Sequence, residues 1–137
     1  MAPASTTRRS DCPISSALEV VGDRWTLLLI RDLIFGGART FKDFLASREG
    51  IATNILSDRL GRLVDLGVMN SERDPADGRV IVYRLTPKGM DLVPVLMELS
   101  VWGARHENGQ APEGVLEAWQ SDRDGFLRWA RSRQDRT

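Results

Sequence analysis

A chain of 137 residues suits one domain, or one domain with an extension, and is long enough to bury a core without disulfides or metal. Apolar residues make up 42% and charged residues 28%, and the formal net charge is zero. That balance excludes a strongly basic nucleic-acid coat protein, though not a local basic surface. Cys12 is the one cysteine, which excludes an intramolecular disulfide and fits a reducing compartment. "MAPASTTRRSD" has no apolar stretch after its arginines, and the longest apolar run lies within 26–30. Neither a secretory signal nor a membrane span is expected, and the cytoplasm is the expected location.

In chain order, residues 1–11 read as a small, polar, flexible tail. Cys12-Pro13 opens a first helix, with Pro13 at its first position and Ile14, Ala17, Leu18 and Val21 at helical spacing. Gly22 breaks it, and Asp23 caps a second helix whose stripe is Trp25, Leu28, Leu29 and Leu33, ended by Gly36-Gly37. "RTFKDFLAS" is a short third helix, capped by Thr40, with Phe41, Phe44 and Leu45 as its core face. "REG" makes a tight turn. A fourth helix then runs from about Ala52 to Leu66, with Leu56, Leu60 and Leu63 inward and Gly67 as its stop.

Beyond Gly67 the period switches from helical to alternating. "VMNSER" and "VIVYRL", joined by "DPADGR", read as a β-hairpin, because Asp-Pro starts a turn and Asp-Gly closes it. Thr86-Pro87 caps a further helix, "KGMDLVPVLMELSVWGARHE", with Leu92, Leu96, Leu99 and Trp102 on one stripe and a bend expected at Pro94. "NGQAPEG" is a linker, and the last segment is an amphipathic helix interrupted near Gly125. The domain plan is a tail at 1–11, a main domain of helices and hairpin at 12–106, and a linker with a helical extension at 107–137.

Short helix, tight turn, second helix and hairpin together specify a winged helix-turn-helix, a mostly α fold with a small β-hairpin. The second of these helices is narrow enough for a major groove. Its outward face carries Thr53, Asn54, Ser57, Asp58, Arg59 and Arg62. Asn54 suits adenine, and Arg59 or Arg62 suits guanine or phosphate. Thr53 and Ser57 suit phosphate at the positive end of the helix. Asp58 either accepts from cytosine or orients Arg62 at i+4. Arg73 and Arg79 on the hairpin, with Lys42 and Arg39 near the short helix, are further phosphate candidates.

Three stretches carry a resemblance: "CPISSALEVVGDRWTLLLIRDLIFGGARTFKDF", "GIATNILSDRLGRLVDLGVM" and "YRLTPKG". Together they resemble the HxlR family of bacterial transcriptional regulators, relatives of the MarR winged-helix proteins, over roughly residues 11–105. The resemblance implies a repressor that binds a palindromic operator in double-stranded DNA as a homodimer, with the first and last helices at the interface. On it, Ile14, Leu18, Leu96, Leu99 and Trp102 are the dimer candidates. It also implies that Cys12 senses oxidants or reactive carbonyls. A thiol at a helix N-terminus sits where positive partial charge favours the reactive thiolate, although a free cysteine is as ordinary inside an apolar core. The effector is then an oxidant or a small molecule. Ala52-Thr53 stands where many members have Ser-Pro, and Gly61 where a charged residue is usual, so operator sequence does not carry over.

His106, the one histidine, reads as a solvated helix end, and the tryptophans at 25, 102, 119 and 129 as core or interface anchors. No metal-ligand cluster, cofactor loop or Ser-His-Asp set is recognisable, so neither an enzyme nor a cofactor or metal site is expected. The alternative reading is a winged-helix module that binds protein rather than DNA. The two differ in salt dependence, which is steep for DNA because counterions are released.

Overall fold

The structure is a computed structural model and describes residues 10–135. The tail expected at 1–11 lies outside the described residues for all but its last two positions. In chain order the elements are α1 (Pro13–Val21), α2 (Thr26–Ile34), α3 (Phe41–Leu45), α4 (Thr53–Asp65), β1 (Met69–Arg73), β2 (Ile81–Leu85), α5 (Pro87–Met90), α6 (Val93–His106), α7 (Val115–Ser121) and α8 (Arg123–Asp135). This is a winged helix-turn-helix: α3 and α4 flank the turn, and the antiparallel pair β1–β2 is the wing.

The core gathers around α2. Leu29, Ile30, Leu33 and Ile34 are buried there against Leu56, Leu60 and Leu63 of α4 and Val93, Leu96 and Met97 of α6. Asp23 starts α2 as its spacing predicted. Its carboxylate accepts from the Trp25 and Thr26 backbone N–H groups at 2.9 and 3.0 Å and from Thr26 Oγ1 at 2.6 Å. In the wing, Met69 pairs with Leu85 and Arg73 with Ile81, so the turn falls on "DPADGR". The Tyr83 N–H donates to the Arg39 carbonyl at 2.7 Å, which ties the wing to the start of α3.

Two expectations change. The single helix expected after Thr86 is two. The α5 turn ends at Asp91 and Pro94 stands in the first turn of α6, where its missing N–H costs nothing. The break in the last segment is at Asp122, not Gly125. Asp122 leaves helical geometry, and its Oδ1 accepts the Gly125 N–H at 2.9 Å, so Gly125 lies in the first turn of α8. α1 has an apolar stripe but buries no residue of it.

The segment after 107 is woven into the core of the chain. Trp119, Phe126 and Ala130 are buried, and Phe126 packs between Phe35, which follows α2, tilted at 53°, and Trp119, edge-on at 77°. Buried Gln134 accepts the Leu85 N–H at 2.9 Å and donates to the Leu33 carbonyl at 3.2 Å, joining α8 to β2 and α2. The Leu33 carbonyl also accepts from Arg39 Nη1 at 3.0 Å, so the Leu85 N–H is the group that depends on Gln134, and leaving it buried and unpaired would cost about 1–3 kcal/mol.

Candidate nucleic-acid interface

α3 is held by a reciprocal cap. Thr40 Oγ1 accepts the Asp43 N–H at 3.2 Å, and Asp43 Oδ2 accepts the Thr40 N–H at 3.1 Å. The turn after it uses Gly50 in the left-handed region, at φ 70°, which a side chain would strain. α4 then starts at Ala52, whose side chain provides no acceptor for the first N–H groups. That end therefore presents free backbone donors and the positive end of the helix dipole.

The two faces of α4 separate cleanly. Leu56, Leu60 and Leu63 are buried, while Thr53, Asn54, Ser57, Asp58, Gly61 and Arg62 are exposed. The side chains of Thr53, Asn54 and Ser57 make no hydrogen bond among the described residues. They are short polar groups with donors and acceptors to spare on a helix of groove width.

The two arginines of α4 are committed within the protein. Arg59 Nε donates to Asp23 Oδ2 at 3.0 Å, across 36 positions of sequence, and its Nη1 pairs with Asp58. Arg62 Nη2 donates to the Glu19 carbonyl of α1. Asp58 therefore pairs with Arg59 rather than with Arg62 at i+4. Both arginines fix α4 against α1 and the α1–α2 turn, so their geometry is that of positioning residues. Sequence spacing found Asp23 as a cap but had no signal for its second partner.

On the wing, Arg73 Nη1 donates to the Gly78 carbonyl at 2.7 Å. Arg79 grips Asp77 with two bonds of 3.1 Å, and its head stays exposed at the tip. Lys42 is exposed on α3. Arg39 is not a surface cation. It donates to the carbonyls of Leu33 at 3.0 Å, Ala38 at 2.8 Å and Arg133, stapling α2 to α8.

Cys12 is exposed at the N-cap of α1. On the same helix Ile14 and Leu18 are 72% and 56% exposed, and on α6 Leu99 and Trp102 are 51% and 56% exposed. Leu96 parts from this group. At 7% exposure it belongs to the chain's own core, because it lies on the α6 face that packs under α2. Val95, at i−4 from Leu99, takes its place on the outer face. Among the described residues no helix is long and apolar enough to cross a membrane, and no group of histidine, cysteine or carboxylates has metal-binding placement.

The profile of the HxlR-like helix-turn-helix family matches residues 20–111. An uncharacterised helix-turn-helix transcriptional regulator of Mycobacterium tuberculosis is 42% identical over 101 residues, which are 74% of this chain and 61% of that protein. The chain thus spans under two thirds of that relative's length. The crystal structure of PA1607, a candidate transcription factor, superposes with a TM-score of 0.67 at 39% identity, covering 77% of this chain and 71% of that one. The reduced transcriptional regulator YodB of Bacillus subtilis superposes with a TM-score of 0.56 at 29% identity, covering 74% of this chain and all of that one.

Proposed function

The chain belongs to the HxlR-like helix-turn-helix family, and from that premise we propose that it is a DNA-binding repressor that acts as a homodimer on a palindromic operator. The observation that carries this reading is the exposed, unbonded row Thr53, Asn54 and Ser57 on α4, with an uncapped helix start beside it and the wing behind. α4 enters the major groove, Asn54 reads a base edge, and Thr53, Ser57 and the first N–H groups hold phosphate. Lys42, Arg73 and Arg79 add backbone contacts. Arg59 and Arg62 set the angle of α4, and a new partner on DNA would have to displace Asp23 or the Glu19 carbonyl.

Two α4 helices must lie about 34–36 Å apart to meet half-sites one helical turn apart. The exposed apolar residues Ile14 and Leu18 of α1 and Val95, Leu99 and Trp102 of α6 support a symmetric interface that sets this distance. Cys12 then sits at the edge of that interface. YodB has also been solved diamide-treated and quinone-bound, which supports a thiol signal here. Diamide accepts two electrons and two protons as two thiols, one per protomer, close a disulfide. A quinone instead forms a C–S bond with the thiolate, and its ring is reduced to the hydroquinone. Either product moves the α1 helices and with them the α4 spacing.

Fluorescence anisotropy on the promoter fragment upstream of the gene, against a shuffled control, tests the reading. Specific binding is expected to weaken about a hundredfold between roughly 50 and 200 mM salt if about four phosphates are neutralised per complex. Diamide is expected to change the affinity of the parent protein and not that of C12S. Salt-insensitive binding without preference for the promoter would favour a protein-binding winged helix, and an equal diamide response in C12S would remove the sensor.

A further inference from the structure

A cleft of about 690 Å³ lies between the end of α2, the α3–α4 turn, the second half of α6 and the segment 109–116. That volume is within the roughly 300–1,000 Å³ typical of small-molecule sites. No residue assigned above to DNA or to the dimer face lines it. Part of its wall, Pro112, Val115 and Leu116, lies beyond the family match, so the C-terminal segment closes one side of the cleft. The space exists because its walls are small: Ala46, Gly103, Ala104 and Ala111. A Cβ placed on Gly103 meets nothing within 4 Å.

The cleft is apolar along Phe35, Met97 and Leu116 and polar at one end. There Arg31 Nη1 donates to Glu49 Oε2 at 2.8 Å, Nη2 donates to Ser47 Oγ at 3.3 Å, and Nε and Nη2 donate to Asp32 Oδ1 at 3.1 and 2.9 Å. Arg24 also approaches Glu49, at 3.6 Å, and Arg48 joins the lining. Arg31 and Arg24 thus meet the two carboxylates Asp32 and Glu49, and Arg48 stands beside them without an ion pair among the described residues, one positive charge in excess. Asp32 is adjacent in sequence and fixed on α2. Glu49 is held from a turn, so it is the exchangeable partner.

We propose that this cleft binds a small organic acid, with an apolar body of about one or two rings against Phe35, Met97 and Leu116 and its carboxylate on the Arg31 guanidinium in place of Glu49. One carboxylate replaces another on a planar fork built for it, so the guanidinium stays paired throughout. Glu49 is two residues before buried Ile51 and three before the Ala52 cap of α4. Releasing it from Arg31 frees the turn that leads into α4. This consequence for operator affinity rests on the DNA-binding reading above, whereas acid binding does not.

The test uses the full chain and three acids, 2-naphthoate, cyclohexanecarboxylate and octanoate, each against its primary amide, by calorimetry and ¹H–¹⁵N spectra without DNA. At least one acid is expected to saturate one site per chain with a Kd below about 1 mM, roughly tenfold or more tighter than its amide, a difference of about 1.4 kcal/mol. The amide signals of Ser47, Glu49 and Gly103 should shift. R31Q should remove the preference for acid over amide. G103L should fill the cleft and abolish binding while melting cooperatively, since leucine suits a helix better than glycine. The proposal is overturned if no acid saturates, if acids and amides bind alike, or if binding survives in G103L. Should R31Q not fold, G103L decides. Loss of DNA binding alone would sink the regulator reading and leave these results standing.

Discussion

Asp23 does two jobs, and both are acts of one carboxylate. It caps α2 through the Trp25 and Thr26 N–H groups and anchors Arg59 of α4. Burial pushes its carboxyl up, but hydrogen bonds from Thr26 Oγ1, the Trp25 N–H, Arg59 and the Thr26 N–H outweigh this and hold it below its ordinary 3.8. At Glu49 the hydrogen bond from Arg31 dominates and again lowers the carboxyl, against a smaller effect of burial. Both groups bind protons more weakly folded than unfolded. Their stabilisation is therefore complete above the ordinary carboxyl range near pH 4 and is lost as pH falls through the lower folded values. Asp23→Asn should lower the melting temperature at pH 7, at a cost on the order of 1–2 kcal/mol for a cap and a charged hydrogen bond. It should also flatten the acid limb of melting temperature against pH below about 4. An acid limb identical to the parent's would show that Asp23 is not depressed by these contacts.

Among the elements, the C-terminal helices depart most from what an extension should do. α7 and α8 supply Trp119, Phe126 and Ala130 to the core, and Gln134 satisfies backbone groups of α2 and β2. Trp119 is buried with its indole N–H on Glu98 at 3.0 Å, and Arg123 lies over its ring at 4.6 Å. Trp119→Ala should cost about 3–5 kcal/mol, read as a fall in the urea midpoint. A chain stopped after Glu107 should lose cooperative melting, because Phe35, Leu33 and Leu85 would lose their cover and their partners. Cooperative melting of that truncation near the parent temperature would show α7 and α8 to be dispensable. α1 is the opposite case. None of its residues is fully buried, only Val20 packs partly buried against the core, and Arg62 reaches its Glu19 carbonyl, so its position is coupled directly to α4.

For the whole molecule, the exposed apolar faces of α1 and α6 are the expected seat of the dimer. Leu99→Glu with Trp102→Glu places two charges on the α6 face at i and i+3, without touching Val93, Leu96 or Met97 beneath it. Sedimentation equilibrium should show the double variant as a monomer with the parent's helical circular dichroism. Its operator affinity should fall at least tenfold, about 1.4 kcal/mol, once two α4 helices no longer bind as a unit. A dimer that persists would move the interface elsewhere. The cleft beside Arg31 lies on other faces of α2 and α6, so its acid binding should survive in the monomer.

The sequence alone determined whatever neighbours in the chain enforce. Thr40 and Asp43 close their own cap three residues apart. Asp-Pro and Asp-Gly place the wing turn, and the leucines of α4 repeat at the helical period, so α4 and its buried face follow from local pattern. A resemblance in motif added the family. Only the tertiary structure decided which faces meet and which charges pair. Periodicity says that α1 has an apolar stripe, but not that the fold leaves Ile14 and Leu18 exposed. Charge says that Arg59 and Arg39 seek partners, but not that one finds Asp23 and the other three carbonyls. Gln134 has no local signature at all, since its partners Leu33 and Leu85 stand 101 and 49 positions away. Such pairings are set by packing geometry between distant segments. One chain's pattern encodes the need for a partner and leaves its identity to the fold.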